Sequence, residues 1–366
     1  MNSPKEWLER ATEILRDGGV PSPRWDAEIL LGQVLGCRRG DLSFLLRRWR
    51  AEVRKVGDRQ VGDRTGGLAT GEEREDTVWN SRVAERYWAL VQRRAAREPL
   101  QHLCGSWDFM GLELAVDRRA LIPRPETEVL VETVVRRLKE MAAEKSADSA
   151  GGPPLAADVG TGTGAIALAL AHFCPEFRIL GTDISADALD LASANALHLG
   201  LSERVEFAMG DLLKPVEAWL GRRRQAAHSA GPSGTRLPGE AAGLVALVSN
   251  PPYIPTADVA SLQPEVALHD PRVALDGGAD GLDFYRRLIP RALALLRQGD
   301  GKSPATAERE GHSRRGGDRL GGLCAVEVGS GQAPEVAALF RQAGYNNISV
   351  TKDLSGVDRV VLGHRA

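Results

Sequence analysis

The sequence predicts an α/β fold with a mostly parallel sheet, preceded by a small helical domain. Three observations predict it. Short apolar runs after residue 154 alternate with helical stretches, which is the rhythm of βαβ units. One such run ends in a glycine-rich loop, and a later one stops at two consecutive prolines. Residues 1–98, apart from a stretch at about 51–76, instead carry apolar residues at helical spacing.

Composition limits the function classes. The 366 residues are enough for two domains with a sizeable core. With 47 Lys+Arg against 49 Asp+Glu, the net charge of -2 argues against a dedicated nucleic-acid binder. The four cysteines form no CxxC pair and the seven histidines form no HExxH motif, so we expect neither a disulfide framework nor a metal site. Without a secretory leader or a long apolar run, the cytoplasm is the expected location.

The helical domain, residues 1–98, is predicted to hold four helices. They begin near Pro4, Pro23, Leu42 and Ser81. Residues from about 51 to 76 are rich in Gly, Arg and Glu without periodicity, which indicates a solvated insertion. Nothing in this domain looks catalytic.

Residues 99–125 are predicted to link the domains through a β-hairpin. The stretch from Trp107 to Val116 alternates around Gly111, as hairpins do. Pro125 then begins a helix with Glu126 and Glu128 in its first turn. This segment is either an ordinary helix start, or a lid or a wall of a cofactor site.

The predicted C-terminal domain, residues 126–366, begins its sheet with the strand Leu155–Val159. A loop of Gly160, Thr161, Gly162, Thr163 and Gly164 follows it. Glycines let the backbone turn sharply and approach a ligand at a helix N-terminus. The same loop also fits a tight turn or a nicotinamide enzyme.

Acidic residues end the next two predicted strands. Asp183 follows Arg178–Thr182, where a carboxylate can accept both hydroxyls of a ribose or simply cap the next helix. Asp211 and Leu212 follow Arg204–Phe207 and can contact an adenine, although as a pair they also suit a turn.

The most informative stretch is Asn250 to Tyr253. The buried strand Leu244–Val248 precedes it, and Pro251 and Pro252 end that strand because they lack backbone N–H groups. The amide oxygen of Asn250 and the neighbouring carbonyls can accept both protons of a planar –NH2 group, and the ring of Tyr253 can pack on its face. The alternative is an ordinary proline-terminated loop.

Further insertions are predicted at about 142–154, 221–243 and 298–322. A turn-rich segment after Val266 is expected to cover the site before a helix from Leu282. The strand Leu323–Val328, a helix and a terminal hairpin complete the sheet.

Five ordered motifs carry a closer resemblance. They are Ile122-Pro-Arg-Pro-Glu-Thr-Glu128, the loop 158–164, Ser249-Asn-Pro-Pro-Tyr-Ile-Pro255, Asp280-Gly-Leu-Asp-Phe-Tyr285 and Gly356-Val-Asp-Arg-Val-Val361. Together they resemble the protein-(glutamine-N5) methyltransferases of peptide chain release factors, the HemK/PrmC family. The resemblance implies a class I Rossmann-like methyltransferase domain with a mostly parallel seven-stranded sheet, and a helical domain that recognises the substrate.

The resemblance also implies roles for the residues named above. Gly160 to Gly164 and Asp183 would hold S-adenosyl-L-methionine, with Asp211 and Leu212 beside its adenine and S-adenosyl-L-homocysteine as the product. Asn250, Pro251, Pro252 and Tyr253 would bind the glutamine of a Gly-Gly-Gln motif in class 1 release factors, with Asn250 also near the cofactor. Asn250, Pro251 and Tyr253 would be the catalytic residues. No metal, no membrane and no stable nucleic-acid binding are expected.

Two other functions remain open at this point. An N6-adenine DNA methyltransferase acts on the same planar –NH2 group, but such enzymes need a target-recognition element and usually a basic face. A non-catalytic module that binds a release factor or the ribosome is the second alternative.

Overall fold

The computed structural model describes residues 4–42, 44–45, 47, 81–143, 153–229, 244–297 and 321–365. The chain divides into two compact units. The first holds residues 1–105 together with Gln263–His269, and the second holds Ser106–Leu262 with Asp270–Ala366. The predicted insertion at 51–76, and most of those at 142–154, 221–243 and 298–322, lie outside the described residues.

The first unit is helical. Its described helices are α1 (Pro4–Asp17), α2 (Pro23–Leu35), α3 (Ser81–Ala95) and α4 (Leu100–Cys104). The predicted third helix is helical at those of its positions that are described. Leu8, Ala11 and Leu15 on the apolar face of α1 are buried, and Tyr87 of α3 donates its hydroxyl to the carbonyl of Ala27 at 3.2 Å. Helix α2 ends at Gly36, whose φ of 65° is the left-handed conformation that glycine accepts most readily.

A buried charge network lies inside this helical unit. Arg94, only 5% exposed, donates to Asp26 at 2.7 Å and pairs with Glu265 at 2.9 Å. Arg97 holds the same Glu265 through two hydrogen bonds of 2.7 and 2.5 Å. Glu265 belongs to the short helix α9 (Pro264–Ala267), so a piece of chain that follows the Asn250 stretch is part of the helical unit.

The second unit opens with a two-stranded hairpin, β1 (Ser106–Phe109) and β2 (Leu112–Ala115). The described strands of its main sheet are β3 (Leu155–Val159), β4 (Arg178–Asp183), β5 (Val205–Met209), β6 (Leu244–Ser249), β7 (Leu323–Glu327), β8 (Asn346–Lys352) and β9 (Asp358–His364). These seven strands lie in the order β5-β4-β3-β6-β7-β9-β8. The pairs from β5 to β7 are parallel, and β9 is antiparallel to both of its neighbours. The predicted fold class is confirmed.

Helices cover both faces of this sheet. They are α5 (Pro125–Ala143), α6 (Ala165–Phe173), α7 (Ala186–His198), α8 (Lys214–Ser229), α10 (Asp283–Leu295) and α11 (Ala333–Ala343). Successive side chains of β7 enter opposite cores: Leu323 and Ala325 join one, whereas Cys324 and Val326 join the other. Because both faces are covered, β3, β6 and β7 are buried at every position. Their sequences are apolar except for Asp158, Ser249 and Glu327 near the strand ends.

Helix α8 extends further than the sequence pattern indicates. The predicted insertion starts at 221, but residues 221–229 continue the helix to Ser229. Val216 and Trp219 anchor the helix in the core, and the indole of Trp219 donates to Glu206 at 2.8 Å. A single glycine at 221 costs a helix only about 1 kcal/mol, so it does not end one that is already anchored.

Candidate active site

The glycine-rich loop turns at the carboxyl end of β3 and leads into α6. Gly160, Gly162 and Gly164 have φ values of 76°, 55° and 83°, a region that other residues rarely adopt. The N–H groups of Gly160 and Thr161 both donate to the carbonyl of Thr182, at 2.8 and 2.9 Å. The loop is therefore fastened to the end of the neighbouring strand β4.

Asp158, in β3, holds this loop through buried hydrogen bonds. It is fully buried, and its Oδ2 accepts the hydroxyl of Thr161 at 2.6 Å and the N–H of Ala167 at 3.2 Å. Its Oδ1 has no hydrogen-bond partner among the described residues. Burial is the main cause that raises the pKa of Asp158 to about 7.

Asp183 lies at the end of β4, beside the loop. Its Oδ2 accepts the N–H of Gly162 and its Oδ1 accepts the N–H of Ser185, both at 2.9 Å. The cap of α7 is Ser185 itself, whose hydroxyl accepts the N–H of Ala188 at 3.2 Å. The carboxylate of Asp183 therefore fixes the glycine loop and faces the same cavity as that loop.

Asp211 and Leu212 lie at the rim of the same cavity. Both carboxylate oxygens of Asp211 accept from the guanidinium of Arg287, at 2.8 and 2.7 Å. Leu212 is buried and has a φ of 52°. That Asp211 and Leu212 contact an adenine stays a prediction. The carboxylate of Asp211 would then accept from the adenine and from Arg287 together.

The Asn250 stretch begins where β6 ends. The hydroxyl of Ser249 donates to the carbonyl of Val159 at 2.6 Å, which ties this strand end to the glycine loop. The amide Nδ2 of Asn250 donates to Oγ1 of Thr127 at 3.0 Å, and Oγ1 of Thr127 donates to Oε2 of Glu327 at 2.7 Å. The side chain of Asn250 is thus held through its nitrogen.

Tyr253 is held by contacts with Glu327, Gln332 and the core of the sheet. Its hydroxyl lies 3.4 Å from Oε1 of Glu327, and its carbonyl accepts from Nε2 of Gln332 at 2.9 Å. Its side chain packs against the buried core on one face of the sheet. Because the ring does not line the cavity, stacking on a planar –NH2 group stays a prediction.

A cavity of about 440 Å³ brings most of the predicted site residues together. Those on its wall are Gly160, Thr161, Gly162, Thr163, Asp183, Asp211, Leu212, Asn250 and Pro252. Gly164, Pro251 and Tyr253 are not on its wall. Leu121 to Arg124 form another side of it, which supports the prediction that this segment is a wall.

Sequence reasoning missed the residues that hold these walls. It singled out Glu126 and Glu128, but the buried residue between them, Thr127, is the one that contacts Asn250. It also missed Asp270, which accepts from Arg124 at 2.8 Å and whose pKa burial raises to about 6. The available signal for Thr127 was a polar residue between two charged ones at the start of a helix.

The cavity suits a nucleoside-containing cofactor. Its volume lies within the range of roughly 300–1,000 Å³ for small-molecule sites. Apolar walls from Val159, Ile166 and Leu212 are combined with the carboxylate of Asp183 and with open space beside Gly160. Among the described residues, no group of three or more His, Cys, Asp or Glu is placed to hold a metal ion. In the part of the chain that is described, no helix has the length and apolarity to cross a membrane.

Two family models match the chain. A methyltransferase domain matches residues 156–219, and a PrmC N-terminal domain matches residues 6–54 and 74–105. The release factor glutamine methyltransferase of Moorella thermoacetica is 37% identical over 362 residues, covering 99% of this chain and 98% of the relative. The protein of the same name from Deinococcus radiodurans gives the same identity and coverage.

A crystal structure of a release factor-specific protein-(glutamine-N5) methyltransferase from Alicyclobacillus acidocaldarius is also similar. It is 29% identical, with 67% of this chain and 94% of that chain covered and a TM-score of 0.33. At that score the family assignment rests on the sequence relatives, which confirm the resemblance carried by the five motifs. This chain belongs to the release factor glutamine methyltransferase family.

Proposed function

We propose that this enzyme transfers a methyl group from S-adenosyl-L-methionine to the side-chain amide nitrogen of a glutamine. The acceptor is the glutamine of the Gly-Gly-Gln motif in class 1 peptide chain release factors. The observation that carries the proposal is the position of Asn250 and Pro252 on the wall of the cavity that the glycine loop and Asp183 also line. The residue proposed as the amide acceptor and the loop proposed to hold the cofactor therefore line one cavity.

The role of Asn250 follows from its hydrogen bonds. Its Nδ2 is already given to Thr127, so its Oδ1 is the atom available to a substrate. That oxygen, with a backbone carbonyl of the Pro251 segment, would accept the two N–H bonds of the glutamine amide and aim the nitrogen into the cavity. These acceptors would also stabilise positive charge as it grows on nitrogen.

Orientation and exclusion of water are the main tasks of the site. S-adenosyl-L-methionine supplies a sulfonium methyl group that is already a strong electrophile. The amide nitrogen is a poor nucleophile because its lone pair is delocalised, so Asn250 and the prolines must hold it in line. Asp276 on the cavity wall is a weak base, because hydrogen bonds from Thr256 and then Gly278 lower its pKa. The proton would leave the nitrogen after methyl transfer.

A protein acceptor in the cytoplasm is part of the proposal. The near-neutral charge of the chain gives no support to nucleic acid as the main substrate. All four cysteines are free thiols, as a reducing compartment favours.

The direct test is methyl transfer from labelled S-adenosyl-L-methionine to three acceptors. These are a class 1 release factor, the same factor with its Gly-Gly-Gln glutamine changed to alanine, and duplex DNA. Peptide mass mapping locates the label. We expect label only on the intact factor, at that glutamine. Label on DNA, or equal label on both factors, would contradict the proposal.

A further inference from the structure

A three-membered hydrogen-bond chain runs from the sheet core to the side chain of Asn250. It begins at the carboxyl group of Glu327, passes through the hydroxyl of Thr127 and ends at the Asn250 amide. Oε2 of Glu327 lies 2.7 Å from Oγ1 of Thr127, which lies 3.0 Å from Nδ2 of Asn250. Its members lie 200 and 123 residues apart along the chain. Glu327 and Thr127 are 1% and 4% exposed, so water does not compete for these bonds.

The direction of each bond in this chain is determined by chemistry. A hydroxyl has one proton, and an ionised carboxylate can only accept. Burial raises the pKa of Glu327 to about 7, so above that pH Glu327 is an ionised acceptor. Thr127 gives its proton to Glu327, so it can only accept from Asn250. The –NH2 end of the Asn250 amide must therefore face Thr127, which leaves the carbonyl end for the cavity.

In the opposite orientation, the Asn250 amide could not accept from the substrate amide. An amide rotated by half a turn would present –NH2 to the –NH2 of the substrate glutamine, and two donors would then face each other without an acceptor. The two orientations have almost the same shape, so packing alone selects poorly between them. A fixed acceptor beside the nitrogen selects the productive one.

Glu327 is itself held rigidly. Its backbone carbonyl accepts the hydroxyl of Tyr285 at 2.7 Å, and the hydroxyl of Tyr253 lies 3.4 Å from its Oε1. It stands at the last position of β7, next to β6, from whose end Asn250 projects. The anchor of the chain is thus part of the sheet.

We propose that Thr127, anchored by Glu327, is a positioning residue that fixes the amide orientation of Asn250 and so makes Asn250 an acceptor for the substrate amide. Thr127 acts through Asn250 and needs no contact with the reacting atoms. This inference rests on the proposed function, which makes Asn250 the acceptor.

The test compares Thr127→Val, which keeps the shape and removes the hydroxyl, with Thr127→Ser, which keeps the hydroxyl. Thr133→Val is the matched control, since Thr133 is a buried threonine of the same helix. We expect Thr127→Val to lower kcat/KM for the release factor roughly 10- to 100-fold, the range known for side chains that orient a metal-binding residue from behind. Thr127→Ser and Thr133→Val should stay close to the wild type, and affinity for S-adenosyl-L-homocysteine should change little in all three.

A double-substitution cycle separates positioning from general damage. If Thr127 acts only through Asn250, adding Thr127→Val to Asn250→Ala should cause no further loss of kcat/KM. A further loss as large as that in the wild-type background would overturn the proposal. So would full activity of Thr127→Val alone.

A spectroscopic measurement keeps the inference testable apart from methyl transfer. The ¹H–¹⁵N signals of the Asn250 side-chain amide are identified by their disappearance in Asn250→Ala. Thr127→Val should shift them and Thr133→Val should not, whereas unshifted signals in Thr127→Val would overturn the proposal. If the wild type methylates no release factor, the proposed function fails, and the amide signals still decide whether Thr127 holds Asn250.

Discussion

Replacing Gly281 by alanine should damage the site, although Gly281 does not lie on the cavity wall. Gly281 has a φ of 77°, and a Cβ built on it would lie 2.3 Å from the backbone carbonyl oxygen of Tyr253. It would also lie 2.6 Å from Nε2 of Gln332, which donates to that oxygen. The added methyl group would therefore break this bond and push on the Asn250–Tyr253 segment.

The magnitude follows from these distances and from a matched control. The clash lies about 1 Å inside the 3.4 Å at which ordinary contact begins, and the obstacle is backbone, so the segment must move by a comparable amount. A 1 Å misplacement of a positioning group can cost about 100-fold in rate. Gly111 has nearly the same φ, 80°, but open space at its Cβ, so Gly111→Ala carries only the left-handed strain of about 1–2 kcal/mol.

The assay is kcat/KM for methylation of the release factor, with the midpoint of thermal unfolding measured alongside. Both variants should lose stability, and only Gly281→Ala should also lose about two orders of magnitude in kcat/KM. Equal activity of the two variants would refute the reasoning, because it would mean that the position of Tyr253 does not govern the site.

Three further predictions concern the same unit. Asn250→Ala should lower kcat about 10²- to 10³-fold while cofactor affinity, measured by calorimetry, falls much less; unchanged turnover would exclude Asn250 as the acceptor. Asp158→Asn removes a carboxyl whose pKa burial raises from 3.8 to about 7. That carboxyl stabilises the fold below about pH 4, and its contribution is lost as the pH rises through about 7. The free energy of unfolding of Asp158→Asn minus that of the wild type, measured with denaturant, should therefore be more positive at pH 8 than at pH 5. A difference that does not change with pH would contradict this. Ser185→Ala removes the cap bond to Ala188 and should lower the free energy of unfolding by about 1 kcal/mol in the same assay; no measurable change would mean that the cap is replaced by water.

The strands and turns of the sheet were predictable because their signals are local. Leu244–Ser249 is buried on both faces and ends where Pro251 and Pro252 can no longer donate to a ladder. The glycine loop sits where three positive φ angles are needed. In each case the residues that determine the structure are adjacent in the sequence.

The contacts that orient the site were not predictable because they join distant residues. Thr127 meets Glu327 across 200 positions, and Asp211 meets Arg287 across 76, with no periodicity to reveal either pair. The length of α8 was missed for a related reason. Burial of Val216 and Trp219 outweighs a Gly- and Arg-rich composition that, read locally, favours a loop.

The charge network of the helical unit has a consequence for the order of folding. Arg94 and Arg97 are synthesised well before Glu265, which accepts from both of them. Without Glu265, Arg94 keeps Asp26 as its carboxylate partner, but Arg97 lacks both of its hydrogen bonds to Glu265. The N-terminal helices therefore emerge from the ribosome as an incomplete unit. They reach their final stability only after the chain has passed the Asn250–Tyr253 stretch and delivered Glu265.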